Sequence, residues 1–177
     1  MAVASFQPPA VVYREEQSFD WRVYALIALI EACVILTLIW VSQRGHAPAI
    51  GGNRRELVLA VFAVLGLFVP LLVAAGLLRM TTEVTPTDVR VWFGFVPTYR
   101  RFIGISEIQK IEVVSYRPIR DYGGWGVRSG RDGERVLNAR GNRGVRLDLS
   151  DGSRILIGSQ RPEVLAVAIE RAIRPGC

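Results

Sequence analysis

Two long apolar runs, residues 23–41 and 57–78, dominate the first half of the chain, and alternating apolar and polar positions follow them. At a helical rise of about 1.5 Å per residue, each run is long enough to cross a hydrocarbon core of roughly 30 Å. The pattern therefore predicts a transmembrane helix hairpin with a connector over 42–56. It places an N-terminal segment over 1–22 and a globular domain over 79–177.

The globular part of the chain is rich in signals for short strands. Val89, Val91 and Phe93 recur at the two-residue period of a strand, and Asp151-Gly152 is a typical hairpin turn between two alternating segments. Near the end the period becomes helical, with Pro162 suited to a first turn. This part is therefore predicted to be an α+β domain, with antiparallel strands closed by one helix over 161–174.

Glu31 is the most unusual residue of the first apolar run, because a carboxylate near the middle of a membrane span is costly. Pro70 lacks an amide hydrogen, so the carbonyl of Gly66, four residues earlier, has no helical partner. We therefore predict an intramembrane contact in which a neutral Glu31 donates to that carbonyl or to a helix of a partner protein. The alternatives are a glutamate that bends toward the lipid headgroups and a proton-relay group.

Charged and aromatic residues predict how the helix hairpin is oriented in the membrane. The net charge of +6 belongs entirely to the residues after 78, and Lys110 is the only basic residue that is not arginine. A weak positive-inside bias predicts a multi-pass membrane protein with cytoplasmic termini. The residues predicted to lie at the membrane interface are Trp21, Tyr24, Trp40, Arg79, Arg100 and Arg101.

Four segments resemble bacterial pleckstrin-homology-like (PH-like) domains that follow a two-helix membrane hairpin. They are TEVT at 82–85, GGWGVR at 123–128, NARGNRGV at 138–145 and IGSQRP at 157–162. The resemblance implies a bent antiparallel sheet or barrel of about seven strands, capped by one C-terminal helix. It also implies a scaffold for protein or lipid contacts in the bacterial inner membrane. From the residues themselves, the glycines around Trp125 favour a sharp bend beside its ring, so Trp125 would fill the core or anchor an interface, and Trp125 and Arg128 are candidate partner contacts.

The sequence predicts a protein without catalytic activity. It offers no nucleophile with a nearby base and no spacing of metal ligands, so we expect neither a catalytic residue nor a cofactor or metal. Nucleic acid is not expected either, because few aromatic residues accompany the basic ones.

Two functions remain open at this point. The first is an integral membrane subunit or assembly factor of a larger membrane protein complex. By family analogy, that complex would be a photosynthetic reaction centre or antenna. The alternative is a membrane-anchored sensor of anionic lipid headgroups.

Overall fold

The computed structural model describes residues 10–44, 52–95, 97–130 and 132–174. The chain forms two compact units, one helical and one mainly of strands. The helical unit, Asp20–Leu77, contains α1 (Trp21–Arg44) and α2 (Gly52–Leu77). Residues 45–51 of the predicted connector lie outside the described residues.

The second unit, the β domain, combines the segment up to Phe19 with the chain from Leu78 onward. The helical hairpin is therefore an insertion in the sequence of this domain, between its first and second strands. Its strands are β1 (Tyr13–Ser18), β2 (Arg79–Val84), β3 (Asp88–Phe93), β4 (Tyr99–Gly104), β5 (Ile108–Ser115), β6 (Gly126–Ser129), β7 (Arg135–Asn138), β8 (Arg143–Leu149) and β9 (Arg154–Gly158). Two helices accompany them, α3 (Pro118–Tyr122) and α4 (Pro162–Ile173).

The first sheet is antiparallel throughout, in the order β1-β2-β3-β4. Strand β1 alternates buried and exposed side chains, although its sequence YREEQS is mostly polar. Tyr13, Glu15 and Gln17 are buried, and the residues between them are exposed. This strand was not predicted from the sequence, because its inward positions do not carry the apolar residues that usually reveal a strand.

The second sheet has the order β5-β8-β9-β7-β6. Its pairs are antiparallel except β7 and β9, which run parallel. Strands β8 and β9 form a hairpin over Asp151-Gly152, where Gly152 has φ +79°, so the predicted turn is confirmed. Such a positive φ is easily reached only by glycine.

The core of the β domain is apolar and includes one side of α4. Leu147, Ile155 and Ile157 are fully buried on the second sheet, and Leu165 and Ile169 are fully buried on the helix. Helix α4 contacts β5, β8 and β2, so it covers residues from both sheets. The predicted helix with an apolar face near the C-terminus is confirmed in these respects.

The predicted transmembrane hairpin is contradicted. No helix in the described part of the chain combines the length and the apolar character that a membrane span needs. The same finding contradicts the predicted location as a multi-pass protein of the inner membrane.

The predicted PH-like fold is also contradicted. The described residues form two sheets of four and five strands in place of one bent sheet or barrel of about seven. The extra strand β1 comes from the segment before the hairpin, and one strand pair is parallel. Local sequence patterns predict individual strands, but they do not show which strands pair when the two are far apart in the sequence.

Candidate interaction surfaces

The helical unit exposes large apolar side chains on both of its helices. In α1, Leu29 is 61% exposed and Leu36 is 64% exposed, and in α2, Leu72 is 69% exposed. Exposed apolar residues recur along α1 at spacings of three and four, which forms a continuous stripe. Further members are Leu26, Ile30, Val34 and Trp40 in α1 and Phe62, Leu65, Phe68 and Val73 in α2. Together, these side chains of the two helices are called the apolar hairpin surface.

The less exposed sides of the two helices carry Glu31, Gly66 and Pro70, the residues of the predicted intramembrane contact. Glu31 is half-buried between Ile27 and Ile35, one helical turn away on either side. Gly66 and Pro70 are half-buried on α2, and α1 and α2 contact each other. Within the described ranges the Glu31 carboxyl has no hydrogen-bond partner. Its contact with the Gly66 carbonyl therefore stays a prediction.

The aromatic residues assigned to a membrane interface lie on α1. Trp21 and Trp40 are exposed, and Tyr24 is half-buried. Their predicted interface role depended on the two membrane spans, which the structure contradicts.

The three arginines assigned to the same interface have three different environments in the β domain. Arg79 is ion-paired with Glu16 at 3.4 Å. Arg101 lies opposite the buried Val91, and its Nε is buried without a partner among the described residues. Of these three arginines, only Arg100 is exposed and has no ion pair with a described residue. The three therefore do not form one basic patch.

An aromatic and cationic surface covers the outer side of the first sheet. Trp92 lies opposite Arg100, and Arg90 lies opposite Phe102 and over its ring, with 5.9 Å from Cζ to the ring centre. Phe95, in the turn that follows β3, is 80% exposed. These five residues line a concavity of about 380 Å³ and are called the Trp92 face. The sequence reasoning missed this surface, because it assigned Arg100 to the membrane interface and gave Trp92 no role.

The Gly123–Arg128 segment is a sharp bend. Gly123, Gly124 and Gly126 all have positive φ angles. Trp125 is half-buried, and its Nε1 has no partner among the described residues. Arg128 is exposed and donates from Nε to the Trp125 carbonyl at 3.1 Å. The predicted partner contact by these two residues remains untested.

A buried hydrogen-bond cluster fixes β1 to the second sheet. The Glu15 carboxylate, only 6% exposed, accepts from the Tyr13 hydroxyl at 2.7 Å, the Ser159 hydroxyl at 2.6 Å and the Gln160 amide at 2.8 Å. In the same strand, Gln17 donates to the carbonyl of Gly158 at 3.0 Å. We call these contacts the Glu15 cluster. Burial and the neighbouring carboxylate raise the pKa of Tyr13 to about 12, so its hydroxyl remains a donor at neutral pH.

Ser159 also links the Glu15 cluster to helix α4. Ser159 is a residue type that commonly begins a helix, but here it lies before the N-cap of α4, which is Arg161. The Ser159 hydroxyl accepts from the Arg161 amide at 3.0 Å while it donates to Glu15. The segment before α4 therefore ties the helix to the N-terminal strand.

Comparison with known proteins gives no family for this chain. No family model matches it, and the search of curated proteins found no significant match. With the two-sheet fold, these results contradict the resemblance to PH-like membrane proteins. Within the described ranges, no group of three or more histidine, cysteine, aspartate or glutamate side chains could hold a metal ion. The expected absence of a cofactor stays a prediction.

Proposed function

We propose that this protein is a non-catalytic assembly or scaffold subunit of a larger protein complex. Its helical hairpin packs against apolar side chains of a partner protein, and its β domain contacts a second, hydrophilic region of the complex. The observation that carries this proposal is the apolar hairpin surface, which extends over both helices. The photosynthetic host suggested by the resemblance is not part of the proposal, because that resemblance is contradicted.

The apolar hairpin surface supports a protein partner on energetic grounds. Single exposed apolar residues are common, but contiguous apolar patches beyond a few hundred Å² mark interaction sites. Helices that are apolar on most of their surface are normally buried against other elements. Burying one leucine or phenylalanine contributes roughly 1.5–3 kcal/mol. A partner that covers even part of this surface would therefore gain substantial affinity.

The Trp92 face supports the second contact. Tryptophan, phenylalanine and arginine are enriched at the residues that dominate binding energy in protein interfaces. Arg100 is exposed and has no ion pair with a described residue, so its positive charge is available to an acidic surface of the partner. The lipid-headgroup alternative is not carried forward, because Arg79 is ion-paired and Arg101 lies in the row that faces the core.

The proposal predicts that charges on the apolar hairpin surface abolish complex formation. In the double variant Leu29→Glu and Leu36→Glu, two exposed apolar contacts are replaced by carboxylates that the interface would have to bury unpaired. We expect recovery of the partner with the tagged full-length protein to fall by at least about tenfold. The measurement is quantitative mass spectrometry after native isolation, followed by reconstitution from the purified chain and the identified partner.

The matched control is the double variant Gln109→Glu and Ser115→Glu, which places the same charges at exposed positions of β5. Partner recovery should remain at the unmodified level in this control. The proposal would be contradicted if the hairpin variant recovered as much of the partner as the unmodified protein does. Isolation of the unmodified protein as a single component under gentle conditions would also contradict it.

A further inference from the structure

A polar cleft on the outer side of the second sheet takes no part in the proposed protein contacts. It has a volume of about 590 Å³, within the range of small-molecule sites. Arginines from three different elements line it, namely Arg120 from α3, Arg146 from β8 and Arg154 from β9. Because α3 is distant in the sequence from the β8–β9 hairpin, only the fold brings the Arg120 guanidinium to the same cleft as the other two.

Arg146 is held in place at the base of the cleft. Its Nε donates to Glu134 Oε1 at 2.6 Å, and the Tyr122 hydroxyl donates to Glu134 Oε2 at 2.7 Å. Glu134 is 6% exposed, so both of its oxygens are committed to these buried contacts. Tyr122 also interacts with the Arg146 side chain. Arg146 therefore lines the cleft with a guanidinium group that is held in one orientation.

The other two arginines are nearer the rim and are less engaged. The closest approach of Arg154 to a carboxylate is 3.8 Å, to Asp132, whose side chain is 80% exposed. Such an exposed pair contributes little. Arg120 has no ion pair or hydrogen bond within the described ranges. Asp121 also lines the cleft, but it already accepts from the Arg117 amide at 2.8 Å.

We propose that this cleft binds a small anion that carries a phosphate group. A guanidinium matches the oxygens of a phosphate with paired, charge-assisted hydrogen bonds, and three such groups can hold an oxyanion from several sides. Glu134 offsets the charge of Arg146, and Asp121 and Asp132 also line the cleft, so recognition depends on the directed hydrogen bonds of Arg120 and Arg154 more than on net charge. The cleft has room for a phosphorylated small molecule larger than inorganic phosphate.

The test uses pyrophosphate as the probe and the full-length protein at low ionic strength. Isothermal titration calorimetry should show saturable binding that weakens with added salt, as expected for exposed charges. In the double variant Arg120→Gln and Arg154→Gln, the Kd should rise by about tenfold or more. The matched control, Arg171→Gln with Arg174→Gln, removes the same charge from exposed positions on and just after α4 and should leave the Kd unchanged.

Three results would overturn this proposal. One is the absence of saturable binding of pyrophosphate by the unmodified protein. Another is an equal loss of affinity in both double variants, which would indicate attraction to the overall positive charge. A third is binding of citrate as tight as that of pyrophosphate, since a polycarboxylate would then serve equally well. Unfolding midpoints of both variants, measured in parallel, will establish that the substituted proteins remain folded.

Discussion

Replacing Glu15 by alanine is expected to destabilise the β domain by about 3–5 kcal/mol. The substitution removes the acceptor of the Glu15 cluster and leaves the hydroxyl hydrogens of Tyr13 and Ser159 buried without the carboxylate to which they donate. Each buried polar group without a partner costs about 1–3 kcal/mol, and the Gln160 amide also loses its acceptor. Urea unfolding of the full-length protein, followed by pulse proteolysis, will measure the loss.

Glu16 offers a matched control for this substitution in the adjacent position. It lies on the opposite side of β1 and pairs with Arg14 and Arg79 at the surface. Because surface ion pairs are worth about 0–1 kcal/mol, Glu16→Ala should have a small effect. Equal losses of stability for the two variants would contradict the proposed role of the Glu15 cluster. Glu15→Gln, which keeps one carbonyl oxygen, should lie between them.

Gly144→Ala is expected to be the second severe substitution, with a loss of at least about 3 kcal/mol. A Cβ atom at residue 144 would clash with the carbonyl oxygen of Ile157 and would lie 3.0 Å from the Cα of Gly158. These are backbone atoms of the neighbouring strand β9, so they can move only if the β8–β9 pairing opens. Overpacking of a well-packed interior usually costs 1–3 kcal/mol, and a backbone clash belongs at or beyond the upper end.

The control for this variant is Gly104→Ala. There the added Cβ would meet the side chain of Glu107 at 3.1 Å, and a flexible side chain can move away. The backbone of Gly104 is extended, with φ −62° and ψ 134°, which alanine adopts without strain. We expect a change within about 1 kcal/mol in the same urea unfolding experiment. A Gly144→Ala protein as stable as this control would show that the two strands are farther apart than described.

The sequence predicted the local elements of the β domain better than its topology. The β8–β9 hairpin and α4 were predictable because their signals are local, a turn dipeptide between alternating residues and a helical period after Pro162. Strand β1 was missed because its inward glutamate is satisfied by Ser159 and Gln160, which are more than 140 residues away in the chain. Such a contact leaves no mark on a local pattern.

The sequence identified the apolar runs of the hairpin but assigned the wrong surroundings to them. Hydropathy records that side chains avoid water and does not record whether lipid or protein covers them. The polar cleft was missed for a related reason. Glu134 and Arg146 resembled ordinary surface charges in the sequence, and their bond at 2.6 Å exists only because β8 brings Arg146 close to the start of β7.

Site-specific photo-crosslinking along α1 tests the central claim most directly. A photoreactive side chain would replace Leu29 or Leu36 on the apolar hairpin surface, or Ile27 or Ile35 on the less exposed stripe. In intact cells, the first two positions should yield one dominant product with the same partner polypeptide, and the second two should yield mainly products within the chain. Labelling of lipid alone from positions 29 and 36, or the same products from all four positions, would contradict the account.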